Sequence, residues 1–218
     1  MRIRHKPWAK PELDTCPFCI KQPEIIKGLW SDEFPKKQPI HIELGCGKGG
    51  FISSAIIKYP NINFIAIDIK NEMLALAKRK IEQQLSENEL PADNIRIFIK
   101  NIEQIDTCFD SNDLIERIYI NFCNPWPKQK HKKHRLTHYL LLEKYKVFLK
   151  PMGEIWFKTD DDNLFNESLN YFEQSGFEIK YKTYDLHSSD FTENIETEHE
   201  KMFTEMGKKI KFLIAVHK

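Results

Sequence analysis

"IHIELGCGKGG", residues 40–50, runs five strand-like residues into a turn holding Gly45, Gly47, Gly49 and Gly50, and "FISSAIIKY" then takes up helical spacing. The same strand-then-helix unit repeats downstream. Short apolar runs at "FIAID" (64–68), "IRIFI" (95–99), "RIYINF" (117–122) and "GEIWFKT" (153–159) read as strands. "FEIKYKTY" (177–184) and "KFLIAVH" (211–217) close the series. Between them, "NEMLALAKRKIEQQL" places Met73, Leu74, Ala77, Ile81 and Leu85 on one helical face, and "LTHYLLLEKYKVFL" and "DNLFNESLNYFEQS" read as further helices. Alternation of this kind predicts an α/β fold, a mostly parallel seven-stranded sheet with helices on both faces and a ligand site at the carboxyl ends of its strands. Residues 1–39, rich in Pro and Lys with little periodicity, read as a basic N-terminal arm or loosely packed cover, and 40–218 as the main domain.

With 218 residues, 41% hydrophobic and 30% charged, the chain suits one globular domain. No run approaches the roughly 20 apolar residues of a membrane helix, and no secretory pattern stands at the start, so the expected location is cytoplasmic, without a membrane partner. Five cysteines, an odd number, argue against a disulfide framework. "CPFC" at 16–19 is half of a zinc site with no second close pair, so no metal is expected.

Without side chains on the glycine turn, a ligand can approach the backbone and the start of the following helix. The spacing fits GxGxxG and GxGxG alike and leaves a dinucleotide and S-adenosylmethionine both open. Asp68 ends the second strand 23 residues past Gly45, where an acid that binds ribose hydroxyls is expected. Glu43 lies inside the first strand, at the sheet's carboxyl edge. A cationic methionine moiety would offset the desolvation of its carboxylate, whereas a pyrophosphate would be repelled; a carboxylate hydrogen-bonded to the glycine turn is the alternative. Asn101, just past the third strand, can read an adenine amino group or simply open a turn.

Charge is segregated along the chain. Between residues 117 and 142 there is no acid, while Arg117, Lys128, Lys130, Lys132, Lys133 and Arg135 give +6 against a whole-chain charge of +1, leaving −5 to the rest. Arg2, Arg4, Lys6 and Lys10 repeat the theme before Glu12. In "NFCNPWPKQKHKKHR" two prolines fix a turn that presents Asn124 and Trp126. A stacking face beside Lys128, Lys130, Lys132, Lys133 and Arg135 is the pattern of a nucleic-acid contact. His131, His134 and His138, set among lysines, read as further polar contacts.

Taken in order, "RIRHKPWA", "IHIELGCGKGGFI", "INFCNPWPKQKHKKHRLT", "IWFKTDDDNLF" and "DLHSSDFTENIETEHEKMF" resemble the landmarks of the bacterial tRNA (guanine-N7)-methyltransferases, the TrmB family. The resemblance spans almost the whole chain, and its most specific parts are the PWPK and T-E-x-E segments. It implies a class I S-adenosylmethionine-dependent methyltransferase (Rossmann-like) fold that methylates N7 of guanine 46 in the tRNA variable loop. By position it implies that Glu43, Gly45, Gly47, Asp68, Asn101 and Asn124 line the cofactor site. Lys128, Asp160, Thr197, Glu198, His199 and Glu200 fall at positions for tRNA or guanine contact. The family usually has Asp where this chain has Asn124, and often Asp where it has Asn101. We therefore expect Asn124 to orient the reactants, and Asp160, aided by a carboxylate of residues 197–200, to supply negative charge. Asn-Pro-aromatic also resembles the [DN]PP[YFW] motif of enzymes methylating planar amino nitrogens, and a tRNA-binding paralogue without turnover would keep the same landmarks. The sequence leaves monomer and homodimer both open.

Overall fold

The structure, a computed structural model, describes residues 5–218. Arg2 and Arg4 of the basic start lie outside the described residues.

One sheet contains β1 (Ile40–Leu44), β2 (Asn63–Asp68), β3 (Ile95–Ile99), β4 (Ile115–Asn121), β5 (Leu149–Thr159), β6 (Phe177–Thr183) and β7 (Lys211–His217), in the spatial order β3-β2-β1-β4-β5-β7-β6. The first five strands are parallel, and β7 runs antiparallel between β5 and β6. Every residue of β1 is buried, as expected of a central strand covered on both sides. Ile40, Ile42 and Leu44 join a core with α4 (Tyr139–Phe148) and α5 (Asp162–Gln174). Phe64, Ala66 and Tyr119 pack on the other side with α2 (Gly50–Lys58) and α3 (Asn71–Glu87). The expected alternation lapses after β3. There Asn101 caps a 3-10 helix, Ile102–Thr107, broken by the non-helical Gln104, and no α-helix forms. Among the described residues no helix is long and apolar enough to cross a membrane.

The N-terminal segment differs from the loose cover expected of it. It forms α1 (Ala9–Asp14), whose Leu13 is buried, and a 3-10 helix, Trp30–Glu33. Trp30 is fully buried, stacks between Phe98 and Phe109 at 5.2 and 5.1 Å, and donates from Nε1 to the Cys108 carbonyl at 2.8 Å. Phe18 and Ile20 exchange backbone hydrogen bonds with Ile97, which covers the outer edge of β3. Cys16 and Cys19 are free thiols in this packing, and burial pushes Cys19 up to about 12. Isolated indoles in a Pro-rich stretch carry no periodicity, so their burial is invisible to pattern.

Replacing Trp30 with Ala should therefore cost about 3–5 kcal/mol and lower the melting temperature by roughly 6–20 °C in a domain of this size. Thermal unfolding measures it; a shift within ~2 °C would mean the segment is only a cover.

Candidate active site

Passing from β1 to β4 the strand order reverses, and crevices open at such a point beyond the strand ends. Two cavities meet there, with Gly45 and Phe122 lining both. The larger, about 760 Å³, is bordered by Asp68, Asn101, Glu103, Asn124, Trp126 and Met73, among others. The smaller, about 170 Å³, is bordered by Glu43, Gly47, Lys48, Asn121, Glu198 and His199, among others.

The glycine turn is shaped by backbone need. Gly49 has φ of +79°, and a Cβ there would meet the Ala77 Cα at 2.8 Å. Gly47 donates its N–H to Asp68 Oδ2 at 3.0 Å, and Lys70 N–H donates to Oδ1 at 2.9 Å, so Asp68 buttresses the turn while facing the larger cavity. Burial raises the Asp68 carboxyl above its ordinary value against the pull of these two donors.

Glu43 is 2% exposed. Its Oε1 accepts from Asn121 Nδ2 at 3.1 Å, while Oε2 has no partner among the described residues. Desolvation pushes its carboxyl up to about 7, opposed by the Asn121 hydrogen bond and the Lys158 charge. No hydrogen bond ties Glu43 to the glycine turn among the described residues. A buried carboxylate that borders a cavity and has one oxygen unpaired is suited to receive a cation or a hydrogen-bond donor.

Asn101 Oδ1 accepts the Glu103 N–H at 3.1 Å, turn chemistry that leaves its amide group free as donor at the larger cavity. Asn124 is exposed, and its Oδ1 accepts the Trp126 N–H at 3.1 Å. This turn is strained: Phe122 and Trp126 have φ of +52° and +41°. Phe122 N–H donates to the Lys158 carbonyl at 2.9 Å and Arg135 Nε donates to the Pro125 carbonyl at 2.7 Å, which holds the strained backbone. The Trp126 ring packs against His131 and His134 at 5.7 and 5.5 Å, and His134 pairs with Glu103 across the cavity wall.

Several sequence expectations need correction. Arg135 is fully buried and is no phosphate contact: its guanidinium binds Glu167 and Asn163 as well as Pro125. Lys132 pairs with the same Glu167 at 2.5 Å. Lys128, Lys130 and Lys133 remain exposed, with no acidic partner among the described residues. His138 caps α4 rather than facing a ligand. Asp160 lines neither cavity; it borders a separate one of about 470 Å³ and pairs with Lys208 at 2.7 Å. Thr197 and Glu200 form the capping box of α6 (Glu198–Glu205), and Glu200 is fully buried against Lys158. Of that segment, Thr197, Glu198 and His199 border the smaller cavity, the last two exposed and Glu198 paired to Lys80. Asn121, Phe122, Glu103 and Lys158 were not singled out from sequence. A Lys inside the apolar run "EIWFKT" was the available signal for the last.

A family model described as putative methyltransferase matches residues 37–213. A tRNA (guanine-N(7)-)-methyltransferase of Ruminiclostridium cellulolyticum is 58% identical over 219 residues, covering 100% of this chain and 93% of that one. One from Clostridium beijerinckii is 56% identical over 216 residues, 99% of each chain. Among solved structures, an antibiotic-related methyltransferase superposes with a TM-score of 0.58 at 18% identity over 85% of this chain and 89% of that one. The 16S rRNA methyltransferase KamB does so at 0.57 and 9% identity, over 83% and 88%. These two show the fold alone.

Because the Glu43 carboxyl is raised from 4.5 to about 7 in the folded state, it favours folding below pH 4.5 and that contribution is lost as pH climbs through 7. Glu43→Gln, which keeps an acceptor for Asn121, should be the more stable protein at pH 8.5 by up to roughly 3 kcal/mol. The difference should close toward pH 5. Denaturant titration across pH reads this, and a pH-independent difference would contradict it.

Proposed function

The chain belongs to the tRNA (guanine-N(7)-)-methyltransferase family, and we propose that it transfers a methyl group from S-adenosylmethionine to N7 of guanine 46 in tRNA. The observation that carries the cofactor reading is Glu43, a buried carboxylate that borders the smaller cavity and whose Oε2 has no hydrogen-bond partner among the described residues, next to a larger, mostly apolar cavity. When bound, S-adenosylmethionine supplies an electrophilic methyl on a sulfonium. Glu43 and Asn121 would hold its cationic amino acid end. Asp68 would take the ribose hydroxyls, and the free amide of Asn101 would donate to a ring nitrogen of adenine. The size match favours this division, since a nucleoside fills the larger space and a short aliphatic chain the smaller.

Guanine N7 carries an in-plane lone pair, so no base has to create the nucleophile. Rate then comes from placing N7 in line and from not opposing the charge that methylation leaves on the purine. Asn124 is neutral and exposed at the mouth of the larger cavity, with its oxygen already on Trp126 N–H. It is suited to orienting rather than to proton transfer. Trp126 offers a base-stacking face beside its two histidines. Lys128, Lys130 and Lys133 would grip phosphates, and Asp160 and His199 would meet the tRNA at the flanks. Asp160, neutralised by Lys208 outside both cavities, is better placed for tRNA contact than for charge stabilisation at the methyl.

Incubation with labelled S-adenosylmethionine and unmodified tRNA should give N7-methylguanosine, mapped by aniline-type strand cleavage to position 46. Label at an amino nitrogen, which leaves the strand uncleaved, or no label at all would refute the proposal. In the same assay Asn124→Asp should change kcat by less than ~10-fold; a gain of ~100-fold or more, the scale of general-base help, would show that the Asn impairs the enzyme. Replacing Lys128, Lys130 and Lys133 together by Ala should flatten the slope of log affinity for tRNA against log salt by about 2–3. An unchanged slope would place the phosphate grip elsewhere.

A further inference from the structure

Among all residues of α6, Glu200 alone is buried. A helix normally docks through an apolar stripe; this one docks through a carboxylate. Glu200 Oε2 accepts from Lys158 Nζ on β5 at 2.7 Å. Its Oε1 accepts from Asn194 Nδ2 at 2.7 Å and lies 3.2 Å from His187 Nε2. Lys158 Nζ also donates to the Ile195 carbonyl at 2.8 Å and to Asn194 Oδ1 at 2.9 Å, so its three hydrogens are all used inside the protein. The backbone of the same Lys158 accepts the Phe122 N–H at 2.9 Å, at the strained end of the turn after β4. The remaining contact of α6 with the sheet edge is made by His199 and Phe203, packed on the Phe122 ring at 6.2 and 5.8 Å.

We infer that Lys158 is a positioning residue for methyl transfer: through its buried pair with Glu200 it seats α6, so that Glu198 and His199 form a wall of the cavity that Glu43 also lines. Glu200 is 0% exposed and every oxygen contact it makes is internal, so it acts on the reactants only through the helix it anchors. Severing the pair leaves an uncompensated buried charge and frees a helix that has no other buried side chain. The consequence is local: α6 opens, with the 194–197 segment that Lys158 holds, while the sheet stays formed.

The inference rests on the cofactor reading above, and hydrogen exchange of the ligand-free protein separates the two. In Lys158→Met, the amides of α6 should exchange ~100-fold faster or more, the fold-change expected when a buried pair loses one partner, with those of β1 and β2 within ~3-fold of the parent. The affinity for S-adenosylhomocysteine should fall at least ~10-fold and the KM for S-adenosylmethionine should rise in step, a change that lower global stability alone does not produce. Glu200→Gln, which keeps the shape and an acceptor, should reproduce the effect in part, and the double variant Lys158→Met with Glu200→Leu should be no worse than the worse single change. If Lys158→Met does not fold, Glu200→Gln carries the test alone. Unaltered α6 exchange, faster exchange throughout the sheet, or losses that multiply in the double variant would overturn the inference. Failure of the parent protein to bind S-adenosylhomocysteine would instead count against the proposed function.

Discussion

Glu43 is buried at the point where the strand order reverses, with Asn121 on one carboxylate oxygen and no partner for the other among the described residues. An ionised group in that place opposes folding, so its surroundings have to hold it there. β1 is clamped between β2 and β4 in parallel register, which fixes Glu43 beside Ala66 and Tyr119. Asn121, the last residue of β4, reaches across with an amide, and Lys158 on β5 contributes positive charge that draws the carboxyl back toward ionisation. Three strands therefore converge on one oxygen pair. A structure optimised only for stability would place an apolar residue here.

The same logic runs through the turn at 121–127. Two non-glycine residues in left-handed conformation cost of order 1–3 kcal/mol each and persist because Lys158 and Arg135 hold the backbone at both ends. Arg135 is itself held by Glu167 and Asn163 of α5, so the basic run is two structures in one. Its end braces the turn from beneath, while Lys128, Lys130 and Lys133 face outward. Lys158 has a comparable double duty, with its backbone on Phe122 and its side chain on Glu200. Turn, sheet and α6 meet at that residue.

Much of the fold was legible because apolar runs report burial directly. β1, β3 and β7 begin and end where "IHIEL", "IRIFI" and "KFLIAVH" do, and the glycine turn with Glu43 and Asp68 marked the crevice. What escaped was whatever depends on pairing across the fold. A string of lysines and an arginine looks uniform in sequence, yet Arg135 is buried because Glu167, 32 residues later, faces it. Thr197 and Glu200 read as substrate contacts by position; the structure spends Glu200 on anchoring a helix, while Thr197 caps that helix and still borders the smaller cavity. Trp30 belongs to the core although its neighbours look like loop.

Proton linkage of cofactor binding tests the central role given to Glu43. In the free protein its carboxyl sits at about 7 and is substantially protonated at pH 6.5; a cationic amino acid end beside it favours the ionised form, so binding should expel that proton. Calorimetric titration of S-adenosylmethionine at pH 6.5, in buffers of different ionisation enthalpy, should show net proton release that disappears in Glu43→Gln. Binding without proton release, or with the same release in both proteins, would contradict the account.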